Sequence, residues 1–410
     1  MKVLSKYAKI LEYDNKVLYA NSESGKWLRV SEEVSKIISI YLEDSSEDFL
    51  ERVEFESEND EKFFFNIIDK LVQYEILREH DERYECDNSV TIEITNDCNL
   101  RCKHCCVNAG EEKDYEFSFE ELKGILTKCI AWNPKSITLS GGEPMIREDF
   151  FDIASFLREN YTGIITLSTN GTLITKDNVA KLCDLVDQID ISIDGIDEES
   201  CAKIRGRGVF GKVLNSVDLI HECDFTNVSL SMVFSDTNEM YEEQFYELNK
   251  KLGTKALPRI YADIGRAKKN REQFTSKTKN ESYIPLSFLK EEHIDELGFC
   301  SCAAGRKMIF IRHDGSIYPC PSFMKKKYMM GNINDIDSLD MITASNMDEA
   351  VRKHMLEANM MFSEKCSECP VKYFCWSCIG DTDRFPTEEA LDNYCKLTKP
   401  ILMKRVWSCV

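Results

Sequence analysis

The stretch Thr91-Ile92-Glu93-Ile94-Thr95-Asn96-Asp97-Cys98-Asn99-Leu100-Arg101-Cys102-Lys103-His104-Cys105 decides how the rest of the chain is read. A short β-branched run, Thr91 to Thr95, gives way to three cysteines spaced C-x3-C-x2-C. Three thiolates this close on one loop can hold three irons of a [4Fe–4S] cube and leave the fourth iron without a protein ligand. Two plainer readings stand beside this one. The loop could be a zinc site with His104 as a neighbour, although zinc usually pairs one C-x2-C with another. The thiols could also be small buried side chains.

Outward from this loop, short apolar runs alternate with helical stretches. The runs are Ser136 to Leu139, Gly163 to Ser168, Gln188 to Ile193 and Asn227 to Phe234. Between them Phe119 to Trp132, Phe150 to Asn160, Lys176 to Asp187 and Val213 to Cys223 carry helical periodicity. This alternation predicts an α/β fold with a parallel sheet wrapped by helices. Ligands in such folds sit at the carboxyl ends of the strands, which places Cys98 and the residues after each later run at the site.

The flanks differ in character. Ala8 to Tyr13, Lys16 to Ala20 and Lys26 to Val30 read as a small β-meander, followed by a helix capped by Ser31 and a second amphipathic stretch from Phe63 to Leu77. Strands followed by helices predict a winged-helix-like module over 1–88, an ordinary α+β cap being the alternative. The acid-rich run Glu54 to Glu61 reads as a solvated loop. From about residue 290 periodic pattern is scarce, yet nine of the 18 cysteines lie in residues 300–410. Such a loop-rich unit needs staples, and metal clusters suit a reducing compartment where disulfides do not persist.

Composition narrows the class further. With 52 basic and 72 acidic residues the net charge is −20, which disfavours a nucleic-acid partner. No secretory signal pattern and no apolar run of about 18 residues appears, so the sequence predicts a cytoplasmic protein without membrane spans.

The C-x3-C-x2-C triad after a strand resembles the signature of radical S-adenosylmethionine (SAM) enzymes. The same likeness takes in Ser140-Gly141-Gly142-Glu143-Pro144, Ser168-Thr169-Asn170-Gly171, Ser192-Ile193-Asp194-Gly195 and Gly265-Arg266-Ala267, in that order. It implies a partial (β/α)6 barrel over 89–285 in which Cys98, Cys102 and Cys105 carry the SAM-binding cluster. It further implies that Gly141, Gly142 and Glu143 line the methionine amino end, that Ser168, Asn170 and Ser192 lie near the ribose and methionine, and that Arg205 pairs with the SAM carboxylate. The family commonly has an aromatic residue before the last cysteine, where this chain has His104.

The C-terminal cysteines resemble a SPASM domain, here 286–410. Cys302, Gly315 and Cys320 are followed by Cys366-x2-Cys369-x5-Cys375-x2-Cys378 and then Cys395, with the interval after Cys375 one residue shorter than in the family. The family's interleaving implies a first auxiliary cluster on Cys300, Cys302, Cys320 and Cys378 and a second on Cys366, Cys369, Cys375 and Cys395, making three [4Fe–4S] clusters in all. Either both Cys300 and Cys302 bind iron, or one is free and the first cluster is open to a substrate thiolate. Seven cysteines are left over: Cys86, Cys106, Cys129, Cys183, Cys201, Cys223 and Cys409, which read mainly as packing residues.

The resemblance implies a radical SAM oxidoreductase that cleaves SAM to a 5′-deoxyadenosyl radical and acts on a peptide. It extends to thioether maturases of the sactipeptide and ranthipeptide type, with a cysteine-containing precursor peptide as partner, its leader captured by the N-terminal module, and a flavodoxin or ferredoxin type electron donor. Alternatives are a C–C crosslinking or residue-oxidising maturase, the sulfatase-maturing type included, and a non-catalytic iron–sulfur electron carrier.

Overall fold

The computed structural model describes residues 2–43, 49–80, 87–111, 116–275, 284–290, 297–300, 302–359, 361, 363–375, 378 and 387–408. The chain opens with β1 (Lys2–Leu4), β2 (Ala8–Tyr13), β3 (Lys16–Asn21) and β4 (Trp27–Ser31). Strands β2, β3 and β4 form the expected antiparallel meander, turning at Asp14 and Asn15, both at positive φ. Helix Glu32–Glu43 follows it, then helix Glu58–Gln73 and β5 (Leu77–Glu79), which pairs with β1. The acid-rich run is therefore not all loop. Ser57 accepts from the Asp60 amide, and Glu58, Asp60 and Glu61 fill the first helical turn, where the helix dipole favours acids.

The centre is a parallel sheet built in chain order: β6 (Ser89–Thr95), β7 (Ser136–Gly141), β8 (Ile164–Thr169), β9 (Gln188–Ser192), β10 (Val228–Phe234) and β11 (Lys255–Ile260). Helices Phe119–Ala131, Phe150–Asn160, Val179–Leu185, Glu198–Arg205, Val209–His221 and Glu242–Leu252 connect consecutive strands. Ser118 and Glu121 form a capping box that starts the first of these helices. Along β6 the period of two divides the side chains: Val90, Ile92 and Ile94 enter the apolar core, while Thr91 and Glu93 line a central cavity. Strand β11 escaped the sequence reading because its Lys-Ala-Leu-Pro-Arg-Ile pattern is half exposed and interrupted by Pro258.

The C-terminal segment does not form a core apart. Strand β12 (Met308–Ile311) pairs in parallel with β6, and β13 (Ser316–Tyr318) and β14 (Gly331–Asn332) continue antiparallel, giving a nine-stranded sheet. Ile309, Ile311 and Ile317 are fully buried in the same core as the barrel strands. The reading of this segment as too poor in apolar pattern for a sizeable core missed those three isoleucines, which lie on strands of only 4 and 3 residues, too short to show a period.

The N-terminal sheet is likewise buried on both faces. Val17 and Tyr19 of β3 pack on its own helices, whereas Leu18 and Ala20 meet Leu402, Val406 and Trp407 of the long helix Glu388–Trp407. Arg29 Nη1 caps that helix by donating to the Val406 carbonyl at 2.6 Å. Among the described residues no helix is long and apolar enough to cross a membrane.

Candidate active site

A cavity of about 910 Å³ fills the barrel interior, bounded at one end by the cysteine loop and at the side by the C-terminal unit. Cys98, Cys102, Cys105, Gly141, Gly142, Ser168, Asn170, Ser192 and Arg205 all line it, and so does Cys378.

The cysteine loop is held from three sides. Gly142 and Glu143 donate backbone N–H bonds to the carbonyls of Thr95 and Asp97 at 2.9 and 2.8 Å. A Cβ on Gly142 would stand 2.1 Å from the Asp97 oxygen, so this approach requires glycine. Gly265, at φ +58°, presses equally close to the carbonyls of Cys105 and Cys106. Arg266, itself buried, donates to the carbonyls of Cys102 and Ala109, each at 3.0 Å, and pairs with Glu111 at 3.0 Å. Asn99 accepts from Asn170 Nδ2 at 2.8 Å, which ties the loop to the end of β8.

Each of the three sulfurs receives one donor: the Leu100 amide on Cys98, Arg205 Nη1 on Cys102 and the Ala109 amide on Cys105. Burial pushes the Cys98 thiol up to about 11 and also raises that of Cys102, so binding an iron cluster there must displace protons. Donors aimed at sulfur favour thiolate ligands, and the residues fit a cluster. The thiols are grouped without converging on one point: among the described residues no three His, Cys, Asp or Glu side chains are placed to hold a single metal ion.

Two expected SAM contacts are already engaged within the protein. Glu143 lies behind the cavity wall, fully buried. Its carboxylate accepts from Thr169 Oγ1 and the Asn170 amide, both at 2.7 Å, and from the Met145 amide at 3.2 Å. Burial raises its pKa, against the pull of those three donors. Arg205 forks onto Asp194 Oδ2, with Nε at 2.6 Å, and the same oxygen accepts from His104 Nε2 at 2.7 Å. Burial alone would raise the Asp194 carboxyl, but Arg205 and His104 hold it well below the usual carboxylate range. The network explains the histidine: His104 replaces an aromatic ring with one that both stacks on Phe274, at 6.2 Å and 15°, and anchors to a carboxylate. Nothing in the sequence spacing signals this His104–Asp194 pairing across 90 residues.

The C-terminal thiols fall into two sets. Cys300 and Cys320 are pushed up to about 12 by burial and by neighbours that include Cys302 and Cys378. Cys375 is pushed up to about 12 by burial, with Cys366, Cys395 and Cys369 around it. Of the left-over cysteines, Cys129 and Cys201 are buried in the barrel core and Cys183 and Cys223 pack at its edge, whereas Cys106 opens onto the cavity. Cys86 and Cys409 lie outside the described residues.

Residues 92–248 match the radical SAM superfamily and residues 300–370 match SPASM, an iron–sulfur cluster-binding domain. Mycofactocin maturase MftC of Mycolicibacterium smegmatis is 27% identical over 263 residues, 60% of this chain and 67% of the relative. The antilisterial bacteriocin subtilosin biosynthesis protein AlbA of Bacillus subtilis is 27% identical over 304 residues, 70% of this chain and 66% of the relative. Among solved structures, Streptococcus suis SuiB bound to its precursor peptide SuiA superposes with a TM-score of 0.53 at 15% identity, covering 92% of this chain and 94% of that one.

Proposed function

Because the chain is a radical SAM enzyme whose barrel is followed by a SPASM domain, we propose that it forms thioether crosslinks in a cysteine-containing, ribosomally made precursor peptide. The observation that carries this reading is the single cavity with Cys98, Cys102 and Cys105 at one end and Cys378 on its wall. A peptide segment lying in it reaches both a SAM-side and an auxiliary-side thiol set. The names of MftC and AlbA, a maturase and a bacteriocin biosynthesis protein, support a peptide substrate.

When bound, SAM and the clusters supply the hydrogen-abstracting radical and the electron acceptor that follows it. The protein's own part is positioning. Cys98, Cys102 and Cys105 would hold the first cluster, with Arg266 and Gly265 fixing their loop. Gly141, Gly142, Ser168, Asn170 and Ser192 present small polar surface to SAM. Cys300, Cys302, Cys320 and Cys378, and Cys366, Cys369, Cys375 and Cys395, would hold two further [4Fe–4S] clusters. The N-terminal winged-helix-like module would take the leader, and a flavodoxin or ferredoxin would supply electrons.

Anaerobic incubation with SAM, reductant and the precursor encoded beside the gene tests the reading. The expected product has lost two hydrogens per crosslink and carries a carbon–sulfur bond. An unchanged mass, or a carbon–carbon link, overturns the thioether assignment. One observation supports that second chemistry: Cys302 and Cys378 neighbour both Cys300 and Cys320, and four thiols on one cluster would leave no iron for a substrate thiolate to occupy.

A further inference from the structure

Glu93 stands at the seam between the barrel and the C-terminal unit. It faces inward from β6, is 2% exposed, and lines the cavity. Its Oε2 is held from the β12–β13 turn, by Arg312 Nε at 3.3 Å and His313 Nδ1 at 3.2 Å, and His313 is itself buried. Its Oε1 has no hydrogen-bond partner among the described residues. One oxygen is thus clamped, and the other is open to a donor bound in the cavity.

Two other carboxylates of the cavity have both oxygens engaged. Asp194 serves Arg205, His104 and the Val233 amide. Asp263 takes Arg271 at 3.0 Å and the Tyr261 hydroxyl at 3.2 Å. Cys106, a thiol on the same wall, has Glu93 among its neighbours. The groups that face Glu93 are Arg312, His313 and Tyr318 from the C-terminal side and Cys106 from the cysteine loop.

We propose that Glu93 is the catalytic base that takes the proton of the substrate thiol, with His313 as the positioning residue that orients it. The inference rests on the thioether reading above. In the crosslinking step one C–H and one S–H bond break and one C–S bond forms. The hydrogen atom goes to the 5′-deoxyadenosyl fragment of SAM, the proton to Glu93 Oε1, and the remaining electron to an auxiliary iron–sulfur cluster as one-electron oxidant.

The test uses the reconstituted enzyme and its precursor peptide. Wild-type enzyme that gives no carbon–sulfur product overturns the thioether reading itself, whatever Glu93 does. With wild type active, Glu93→Gln should lower crosslinks formed per 5′-deoxyadenosine by about a hundredfold, while deoxyadenosine release and peptide affinity stay within about threefold. Peptide affinity is read by fluorescence anisotropy without reductant. Raising the pH toward the thiol's own value of about 8.5 should recover part of the loss, because the substrate then ionises unaided. Glu93→Asp should restore part of the activity, and His313→Gln should displace the pH profile of crosslinking. A Glu93→Gln enzyme that crosslinks at the wild-type ratio overturns the proposal. So does a parallel fall in release, affinity and crosslinking, which would mark a structural role. If Glu93→Gln does not fold, an unchanged pH profile in His313→Gln overturns it instead.

Discussion

Asp194 and Arg205 form a buried ion pair, Oδ2 to Nε at 2.6 Å and to Nη2 at 2.5 Å, in which both side chains are less than a tenth exposed. Arg205 also reaches Cys102, so the pair fastens the end of β9 to the cysteine loop. Asp194→Asn leaves the guanidinium buried without a counter-charge, and breaking such a pair costs about 3–5 kcal/mol. Denaturant unfolding at neutral pH should show a loss of that size. The variant should also retain less SAM-cluster iron than the wild type.

The helix that delivers Arg205 begins at a capping box in which Asp197 accepts from the Ser200 amide at 2.7 Å and from its hydroxyl at 2.6 Å. Those hydrogen bonds lower the Asp197 pKa. A depressed folded-state value means the carboxylate stabilises the fold above the unfolded value of about 3.9, and that this contribution is lost as the pH falls through the folded value. Asp197→Ala should therefore cost about 1 kcal/mol at pH 7. The wild-type and variant unfolding curves should converge as the pH drops below about 4.

Gly265 makes a sharper case, because the collision there is with backbone. A Cβ at this position would lie 2.3 Å from the Cys106 carbonyl and 2.5 Å from that of Cys105, at a φ that L residues rarely adopt. Gly265→Ala must displace the loop of Cys98, Cys102 and Cys105, the proposed SAM-cluster ligands, while leaving the C-terminal thiols untouched. Iron analysis after anaerobic reconstitution should show loss of about a third of the iron if three four-iron clusters are present. Deoxyadenosine release should fall with it.

Much of this was legible beforehand, for reasons that can be named. Strands β6 to β10 declared themselves because buried parallel strands are short, β-branched and continuous, as in Ile164-Ile165-Thr166-Leu167. The cysteine loop was legible because Cys98, Cys102 and Cys105 fall close together in sequence, directly after a strand. What stayed hidden is contact between distant segments. Ile309 and Ile311 join the barrel core by pairing with β6, 219 residues from Val90 and Ile92 in each case. Glu93 and His313 meet the same way, and so do Asp194 and His104. Such pairs are made by topology, and periodicity carries no record of them.

Cys300 is anchored by its amide to the Tyr373 carbonyl at 2.7 Å; like Cys366 and Cys375 it packs on Met361 and Leu391, and it lies beside Cys302 and Cys378. It therefore stands between the thiols of the two proposed auxiliary clusters, whereas Cys302 and Cys320 neighbour Cys378. If both cysteines ligate the first cluster, Cys300→Ala opens one iron and alters that cluster's low-temperature paramagnetic resonance signal without loss of the second cluster's. A cysteine-containing peptide should then shift the signal of Cys300→Ala and leave the wild-type signal unmoved, because only the variant has an iron free to take a thiolate. The reverse pattern, a wild-type signal that responds to the peptide and a Cys300→Ala signal that matches it, would show that Cys300 binds no iron and that the first cluster is open in the native enzyme.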